Sequence, residues 1–150
     1  MGKAATRVGI GLVSRDGRYL VRRRAAEPLA GYWEFPGGKC REGETPREAA
    51  ARECHEELGL AVVVDERPRY VKVHEYAHGL IELHFFDAGL ADDRDGPDVA
   101  RGFHWVASAE LPSYAFPEAN RDVVAELAGH QEDACPALLR SQASRKKTST

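Results

Sequence analysis

The chain has 150 residues, of which 43% are hydrophobic and 30% charged, and its formal net charge at pH 7 is −3. This length and composition predict one globular domain and exclude wholesale disorder, because enough apolar surface is available for a core. The 21 basic and 24 acidic residues give no general support for binding a long nucleic acid. No apolar run approaches the roughly 20 residues that cross a bilayer, so no membrane association is expected.

The N-terminus and the cysteines indicate the compartment. Residues 1–7 lack the basic-then-apolar layout of a secretion signal. Cys40, Cys54 and Cys135 are odd in number and have no Cys-x-x-Cys spacing, which argues against a disulfide framework and a zinc knuckle. These features predict a reducing, cytoplasmic location.

The first elements in chain order are two strands. Residues 8–12 alternate apolar side chains, residues 14–17 carry a turn signal, and the extended pattern resumes over 18–22. This pattern predicts a β-hairpin. A loop rich in glycine, proline and aromatic residues is expected to follow over 28–38.

A helix is predicted over residues 46–58. Thr45 is a favourable N-cap, Pro46 suits the first helical position, and Glu48 completes a capping box with Thr45. Gly59 stands where a left-handed C-terminal cap is expected.

The second half of the chain is predicted to be rich in strands. Residues 61–64 begin this section, and residues 71–77 and 80–86 indicate two strands around residues 78–79. An acidic loop over 92–98 precedes a short strand at 103–106, and a last helix is expected between Asn120 and Gly129. We therefore predict a mixed α/β domain over residues 1–130 and a frayed extension over 131–150.

Three carboxylates are spaced so that they share one face of the predicted helix. Glu53, Glu56 and Glu57 follow i, i+3, i+4 spacing, at which like charges repel. Mg²⁺ or Mn²⁺ would relieve that repulsion, because these cations prefer clustered oxygen ligands. Arg52 is able to pair with a neighbouring carboxylate and fix its rotamer. Taken alone, the three glutamates are also typical of a solvated acidic helix face.

The wider spacing resembles the signature of the Nudix hydrolases. The segment follows the pattern G-x5-E-x7-R-E-U-x-E-E-x-G-U, where U is a bulky apolar residue. The fixed positions that match are Gly38, Glu44, Arg52, Glu53, Glu56, Glu57 and Gly59. Cys54 departs from the pattern, since it stands in a bulky apolar position. Buried cysteine behaves as a small hydrophobe, so slightly looser packing is expected there without loss of activity.

The resemblance is closest to the MutT-type branch and extends over residues 7–127. It is carried by Arg-Arg-Ala-Ala at 23–26, Trp-Glu-Phe-Pro-Gly-Gly-Lys at 33–39 and Phe-Pro-Glu-Ala-Asn at 116–120. It implies the Nudix fold, a mixed β-sheet sandwiched between helices. It also implies a set of substrate-binding residues, namely Arg23, Arg24, Glu34, Phe35 and Asn120.

In this branch the asparagine reads the purine edge, because an amide offers both a donor and an acceptor. Phe35 or Trp33 would provide a stacking wall for the base. Residues 22–24 are all arginine and alternate faces in a strand, so they cannot all point inward. Each of these residues also has a purely structural interpretation. Phe35 and Trp33 are typical of core aromatics, residues 22–24 of a solvated strand end, and Asn120 of a helix N-cap.

The resemblance implies attack of a metal-activated water on the β-phosphorus of a nucleoside triphosphate, giving a monophosphate and pyrophosphate. The implied cofactor is Mg²⁺, with Mn²⁺ as an alternative. Its expected ligands are Glu53, Glu56, Glu57 and a backbone carbonyl of Gly37 or Gly38. Glu53, Arg52 and Glu44 would form the catalytic set, with Arg52 orienting Glu53 and Glu44 supporting the junction between loop and helix.

The general base is open. The branch uses a loop glutamate before a tryptophan-bearing strand, here the strand of Trp105. By that spacing the position falls on Val99, with Asp98 beside it. Either Asp98 substitutes after a slip of one residue or Glu53 accepts the proton.

The function expected first is Mg²⁺-dependent hydrolysis of oxidised purine nucleoside triphosphates such as 8-oxo-dGTP, in sanitation of the nucleotide pool. The alternatives are a pyrophosphohydrolase of CTP or modified dCTP, and a non-hydrolytic nucleotide-binding module. The partner is expected to be the nucleotide, and the chain a monomer or homodimer.

Overall fold

A computed structural model describes residues 5–77, 79–92, 94 and 100–129. Within these ranges the strands are β1 (Thr6–Arg15), β2 (Arg18–Arg23), β3 (Trp33–Glu34), β4 (Gly37–Lys39), β5 (Val62–Val64), β6 (Tyr70–Tyr76), β7 (Gly79–Leu90) and β8 (His104–Ala107). The α-helices are α1 (Pro46–Leu58) and α2 (Arg121–Gly129). Short 3₁₀ helices cover Ala100–Gly102, Ser108–Ser113 and Glu118–Asn120.

The described strands form one mixed sheet around β1 and β7. These two strands run parallel over eight residue pairs, from Thr6 opposite Ile81 to Val13 opposite Ala88. Every other strand pairs antiparallel: β2 and β4 with β1, β5 and β6 with β7, and β3 and β8 with β2. The predicted hairpin of β1 and β2 is confirmed by the pairing of Ser14 with Tyr19.

Each face of the sheet buries its own core, because successive strand residues point to opposite faces. Leu12 and Phe85 belong to the core shared with α2, whereas their neighbours Val13 and Phe86 belong to the core shared with α1. The sheet is therefore sandwiched between helices, which confirms the predicted α/β architecture and Nudix fold.

Helix α1 has the predicted bounds because both caps are formed. The backbone N–H of Glu48 donates to the Thr45 hydroxyl at 3.1 Å, and the Thr45 N–H donates to the Glu48 carboxylate at 2.9 Å. Gly59 ends the helix in the left-handed region, with φ of 73°. These local bonds fix the register of the carboxylates along the chain.

Glycines on β1 let α1 lie close to the sheet. A Cβ atom at Gly9 would overlap the Pro46 carbonyl oxygen and the Ala50 nitrogen. A Cβ atom at Gly11 would lie 2.5 Å from the sulfur of Cys54, which is fully buried. The sulfur therefore lies directly against Gly11, and the looser packing expected at Cys54 stays a prediction.

Other predictions need adjustment. The loop expected over 28–38 contains β3 and β4, whose pairing partners are β2 and β1 rather than local residues. Strand β7 continues four residues beyond the predicted end at 86, and β8 begins one residue later than predicted. Residue 78, most of the acidic loop and residues 130–150 lie outside the described residues, so the domain boundary stays a prediction. Neither described α-helix is long and apolar enough to cross a membrane.

Candidate active site

An ion pair ties the loop before α1 to the helix itself. Arg52 donates from Nε to Glu44 Oε2 at 2.7 Å and from Nη2 to Glu44 Oε1 at 2.9 Å, and Nη2 also reaches the Lys39 carbonyl at 3.1 Å. The hydrogen bonds from Arg52, followed by the Arg41 backbone N–H, lower the pKa of Glu44 to about 2. Glu44 thus lies ionised at the loop–helix junction, where the sequence predicts a support.

The three glutamates of α1 do not point the same way. The Glu53 carboxylate lies directly against Gly38, where a Cβ atom would overlap it, and is 3.5 Å from Arg52. Glu57 Oε1 accepts the Gly37 N–H at 3.3 Å. Glu56 instead contacts Arg52 at 3.4 Å and Arg41 at 3.6 Å. Two carboxylates therefore face β4, and the third faces outward.

Because the three carboxylates point in different directions, they do not form a metal site in this arrangement. Among the described residues, no group of three His, Cys, Asp or Glu side chains is arranged to hold a metal ion. The donors beside β4 are nonetheless carboxylate and backbone oxygens, which suit a hard divalent cation and not a soft one. The donor chemistry therefore fits Mg²⁺ or Mn²⁺, and Glu56 would have to change rotamer to act as a ligand beside Glu53 and Glu57.

The pKa of the Glu57 carboxyl is shifted strongly. Burial raises its pKa to about 7, with smaller upward contributions from Glu53 and Glu34, while Arg22 and the Gly37 N–H act in the opposite direction. Burying a carboxylate beside two others is unfavourable without compensating positive charge. Arg22, 3.6 Å from Glu57, supplies part of that charge, and a bound cation would supply more.

A cleft of about 220 Å³ opens beside Gly37 and Gly38. Its walls come from β1, β3, β4, β6 and β7 and from the segment before α2. The predicted site residues that line it are Arg24, Glu34, Phe35, Gly37, Gly38 and Asn120. Arg23 does not line it: this side chain is exposed, and its strand neighbours Arg22 and Arg24 both contact Glu34. Binding of substrate by Arg23 stays a prediction that this placement does not favour.

The aromatic residues divide between core and cleft. Phe35 is only 4% exposed and its ring stacks on Phe116, with centroids 5.1 Å apart, so it belongs mainly to the core. Trp33 is half-buried, lines the cleft and meets Tyr114 edge-on at 4.8 Å. Trp33 is therefore the better placed of the two predicted stacking residues.

Asn120 lines the cleft rather than capping a helix. It ends a 3₁₀ helix, and its backbone N–H donates to the Pro117 carbonyl at 2.9 Å. Within the described residues, its side chain has no hydrogen bond to α2. The amide is thus available to a ligand.

Arg22 is a site residue that the sequence interpretation missed. Nε donates to Glu34 Oε2 at 3.0 Å, and Nη2 lies 3.6 Å from Glu57 Oε1. The alternation of residues 22–24 was the signal that could have found Arg22, because it places Arg22 and Arg24 on the same side of the chain. Which side meets the site is known only once Arg22 is seen to pair with Glu34. Asp98 and Val99 lie outside the described residues, so the general base stays open.

Three comparisons with known proteins agree with this architecture. A family model described as the NUDIX domain matches residues 9–126. The chain is 37% identical over 119 residues to a putative 8-oxo-dGTP diphosphatase 2 of Mycobacterium tuberculosis, covering 79% of this chain and 84% of the relative. It is 42% identical over 76 residues to a CTP pyrophosphohydrolase of Escherichia coli K12, covering 49% of this chain and 54% of that relative. A MutT NUDIX hydrolase from Burkholderia pseudomallei matches with TM-score 0.66 and 26% identity, covering 82% of this chain and 98% of that structure.

The sandwich fold, the carboxylate helix and these matches define the class of protein as a pyrophosphohydrolase, an enzyme that cleaves phosphoanhydride bonds. The chain belongs to the NUDIX domain family, the Nudix hydrolases, and resembles its MutT-type members. Members of this family generally depend on divalent metal ions.

Proposed function

We propose that this enzyme hydrolyses oxidised purine nucleoside triphosphates such as 8-oxo-dGTP to the monophosphate and pyrophosphate, with Mg²⁺ as cofactor, and so cleans the nucleotide pool. The observation that carries the proposal is a single cleft that has the Asn120 amide in its wall and Gly37 and Gly38, beside the carboxylates of α1, in another part. The relative from Mycobacterium tuberculosis, whose name specifies 8-oxo-dGTP, supports the same substrate.

The base would bind in the apolar part of the cleft. Asn120 offers one donor and one acceptor to the edge of the base, and Trp33 offers a ring face or edge. Arg24 lies in the same wall, held by Glu34 at 2.8 Å and by the Pro28 carbonyl at 2.9 Å. These contacts fix the guanidinium before a ligand arrives, so binding costs little side-chain entropy.

The triphosphate would extend towards β4 and α1. Glu53, Glu56 and Glu57, with a carbonyl of Gly37 or Gly38, would hold Mg²⁺. The bound cation would lower the pKa of a water molecule and neutralise charge on the phosphate oxygens. Arg52 keeps the loop of Glu44 on the helix and stands beside Glu53. Glu53 or Asp98 would accept the proton of the attacking water. The water oxygen would bond to the β-phosphorus as the bond from this phosphorus to the α–β bridging oxygen breaks, which gives the monophosphate and pyrophosphate.

A hydrolysis panel tests this proposal. The purified protein receives 8-oxo-dGTP, dGTP, dCTP, CTP and 5-methyl-dCTP at low micromolar concentration with Mg²⁺, and the products are separated chromatographically. Preference for 8-oxo-dGTP with release of pyrophosphate is the expected result. The matched control is the same panel with EDTA in place of Mg²⁺, which should show no turnover.

The second candidate is a pyrophosphohydrolase of CTP or modified dCTP. It is favoured by the 42% identity to the Escherichia coli CTP enzyme over half of this chain. Preference for a cytosine nucleotide in the panel would support this second function over hydrolysis of purine nucleotides. A third outcome, tight binding of 8-oxo-dGTP in Mg²⁺ without turnover, would identify a binding module and contradict both hydrolytic proposals.

A further inference from the structure

Arg22 contacts three separate elements around the candidate site. Besides its hydrogen bond to Glu34 on β3 and its ion pair with Glu57 on α1, its guanidinium carbon lies 4.6 Å from the centroid of the Phe103 ring. Phe103 is fully buried beneath it. The ring and the two carboxylates hold the guanidinium between the cleft wall and the helix.

The two carboxylates that Arg22 joins belong to different ends of the site. Glu34 lines the cleft and also binds Arg24, which stands in the same wall. Glu57 is bonded to Gly37 and lies on the helix of the proposed metal ligands. A continuous series of side chains therefore runs from Arg24 through Glu34 and Arg22 to Glu57.

The chemistry of the guanidinium suits this position. Its planar fork has several donors, so it can bind two carboxylates at once, whereas a lysine ammonium is a single point of charge. The Arg22 side chain is 29% exposed and the two carboxylates are 22% and 20% exposed, so solvent screens these bonds less than it screens surface pairs.

We infer that Arg22 is a positioning residue that couples the base end of the cleft to the carboxylate end. It holds Glu34, and through it Arg24, in the wall that meets the base, and it holds Glu57 beside Gly37. Arg22 itself does not line the cleft. The inference rests on the proposed function, because the two ends are those of a nucleotide substrate.

The test compares Arg22→Met and Arg22→Lys with the wild type. Arg18→Met is the matched control, since Arg18 lies on the same strand, is exposed and is remote from the cleft lining. Two properties are measured: kcat and KM for 8-oxo-dGTP with Mg²⁺, and the Kd of 8-oxo-dGMP by calorimetry without metal. The second measurement reports binding of the base with its sugar and one phosphate, in the absence of the metal, and needs no turnover. Thermal unfolding separates these effects from loss of fold.

In Arg22→Met we expect kcat to fall about 10-fold or more and the Kd of 8-oxo-dGMP to rise about 3-fold or more. Arg22→Lys should restore part of only one property, because an ammonium reaches one carboxylate at a time. Arg18→Met should match the wild type in both. A fall in melting temperature alone, or a change in only one property of Arg22→Met, would overturn the coupling. No turnover of any triphosphate by the wild type would overturn the proposed function and this inference together.

Discussion

The two faces of the sheet are built differently. On the face of α1, the small residues Gly9, Gly11, Ala50 and Cys54 let the helix lie close to β1, while the rings of Phe86 and Phe103 fill the core beside this contact. On the face of α2 the core contains large rings such as those of Phe35, Phe85 and Phe116. Close packing of the helix places carboxylates against β4, whereas the other face supports the cleft wall to which we assign the base. In the proposed function, one sheet would thus hold the two ends of the substrate.

The largest effect expected on the α1 face comes from the inner carboxylate. Glu57→Gln should lower kcat about 1,000-fold, equivalent to about 4 kcal/mol, because Glu57 is bonded beside Gly37 and its charge is lost. Steady-state hydrolysis of 8-oxo-dGTP in Mg²⁺ measures this loss.

Glu56→Gln is the comparison variant, because Glu56 is also assigned to the metal but lies at its outer side. Its side chain is 47% exposed and contacts Arg41 and Arg52, so the loss of kcat should be at least 10-fold smaller than in Glu57→Gln. Equal losses in the two variants would contradict the distinction between inner and outer carboxylates.

The close approach of α1 is expected to be nearly as sensitive. Gly9→Ala should lower the free energy of unfolding by about 3 kcal/mol, because the new methyl group overlaps backbone atoms of α1 and the helix must move. Urea unfolding followed by circular dichroism measures the change. In Gly129→Ala, where the methyl group meets no atom within 4 Å, stability should be unchanged or slightly higher. A stable Gly9→Ala protein would show that the α1 face tolerates a wider spacing.

A smaller and more selective effect is expected on the cleft side. Asn120→Ala should lower kcat/KM for 8-oxo-dGTP about 10-fold, or about 1.4 kcal/mol, since the amide contacts with the base are lost. The kcat/KM for dCTP should stay within about twofold, because the assigned contacts are to a purine edge. Measuring kcat/KM for 8-oxo-dGTP and for dCTP in parallel tests whether the loss is specific to the purine. An equal loss for both would reduce Asn120 to a structural residue.

The smallest effect is expected at the outer rim of α1. Arg41→Ala removes an ion pair to Glu56 at 3.6 Å between side chains that are 67% and 47% exposed. Exposed pairs of this kind contribute about 0 to 1 kcal/mol, so kcat should change less than about twofold. A large loss in the same hydrolysis assay would place Arg41 among the groups that meet the phosphates.

Sequence interpretation succeeds where the signals are local and fails where an element depends on strand pairing. Helix α1 is predicted to the residue, because its N-cap, its capping box and its left-handed glycine are local signals. Strands β3 and β4 are missed, because two or three residues carry no periodicity and these strands exist through pairing with β2 and β1. The helix caps thus depend on residues close together in the chain, whereas the two short strands depend on partners farther along it.

The site divides in the same way. The spacing of Glu53, Glu56 and Glu57 is correctly associated with the Nudix signature, yet it does not show that Glu56 faces Arg41 while Glu53 and Glu57 face β4. Phe35 and Trp33 are equivalent candidates in the sequence. Their difference in burial is decided by the stacking of Phe35 on Phe116, which is distant in the chain.

The linear pattern is enough to predict the family, the bounds of α1 and the order of the carboxylates along it, because each depends on residues within about two helical turns or on a fixed motif. Only the folded chain shows that Arg22 and Arg24, not Arg23, bind Glu34, and that Arg22 also reaches Glu57. That selection requires the register of β2 with β3 and the packing of α1 on the sheet. Both are set by contacts between residues far apart in the chain, and a linear pattern does not contain them.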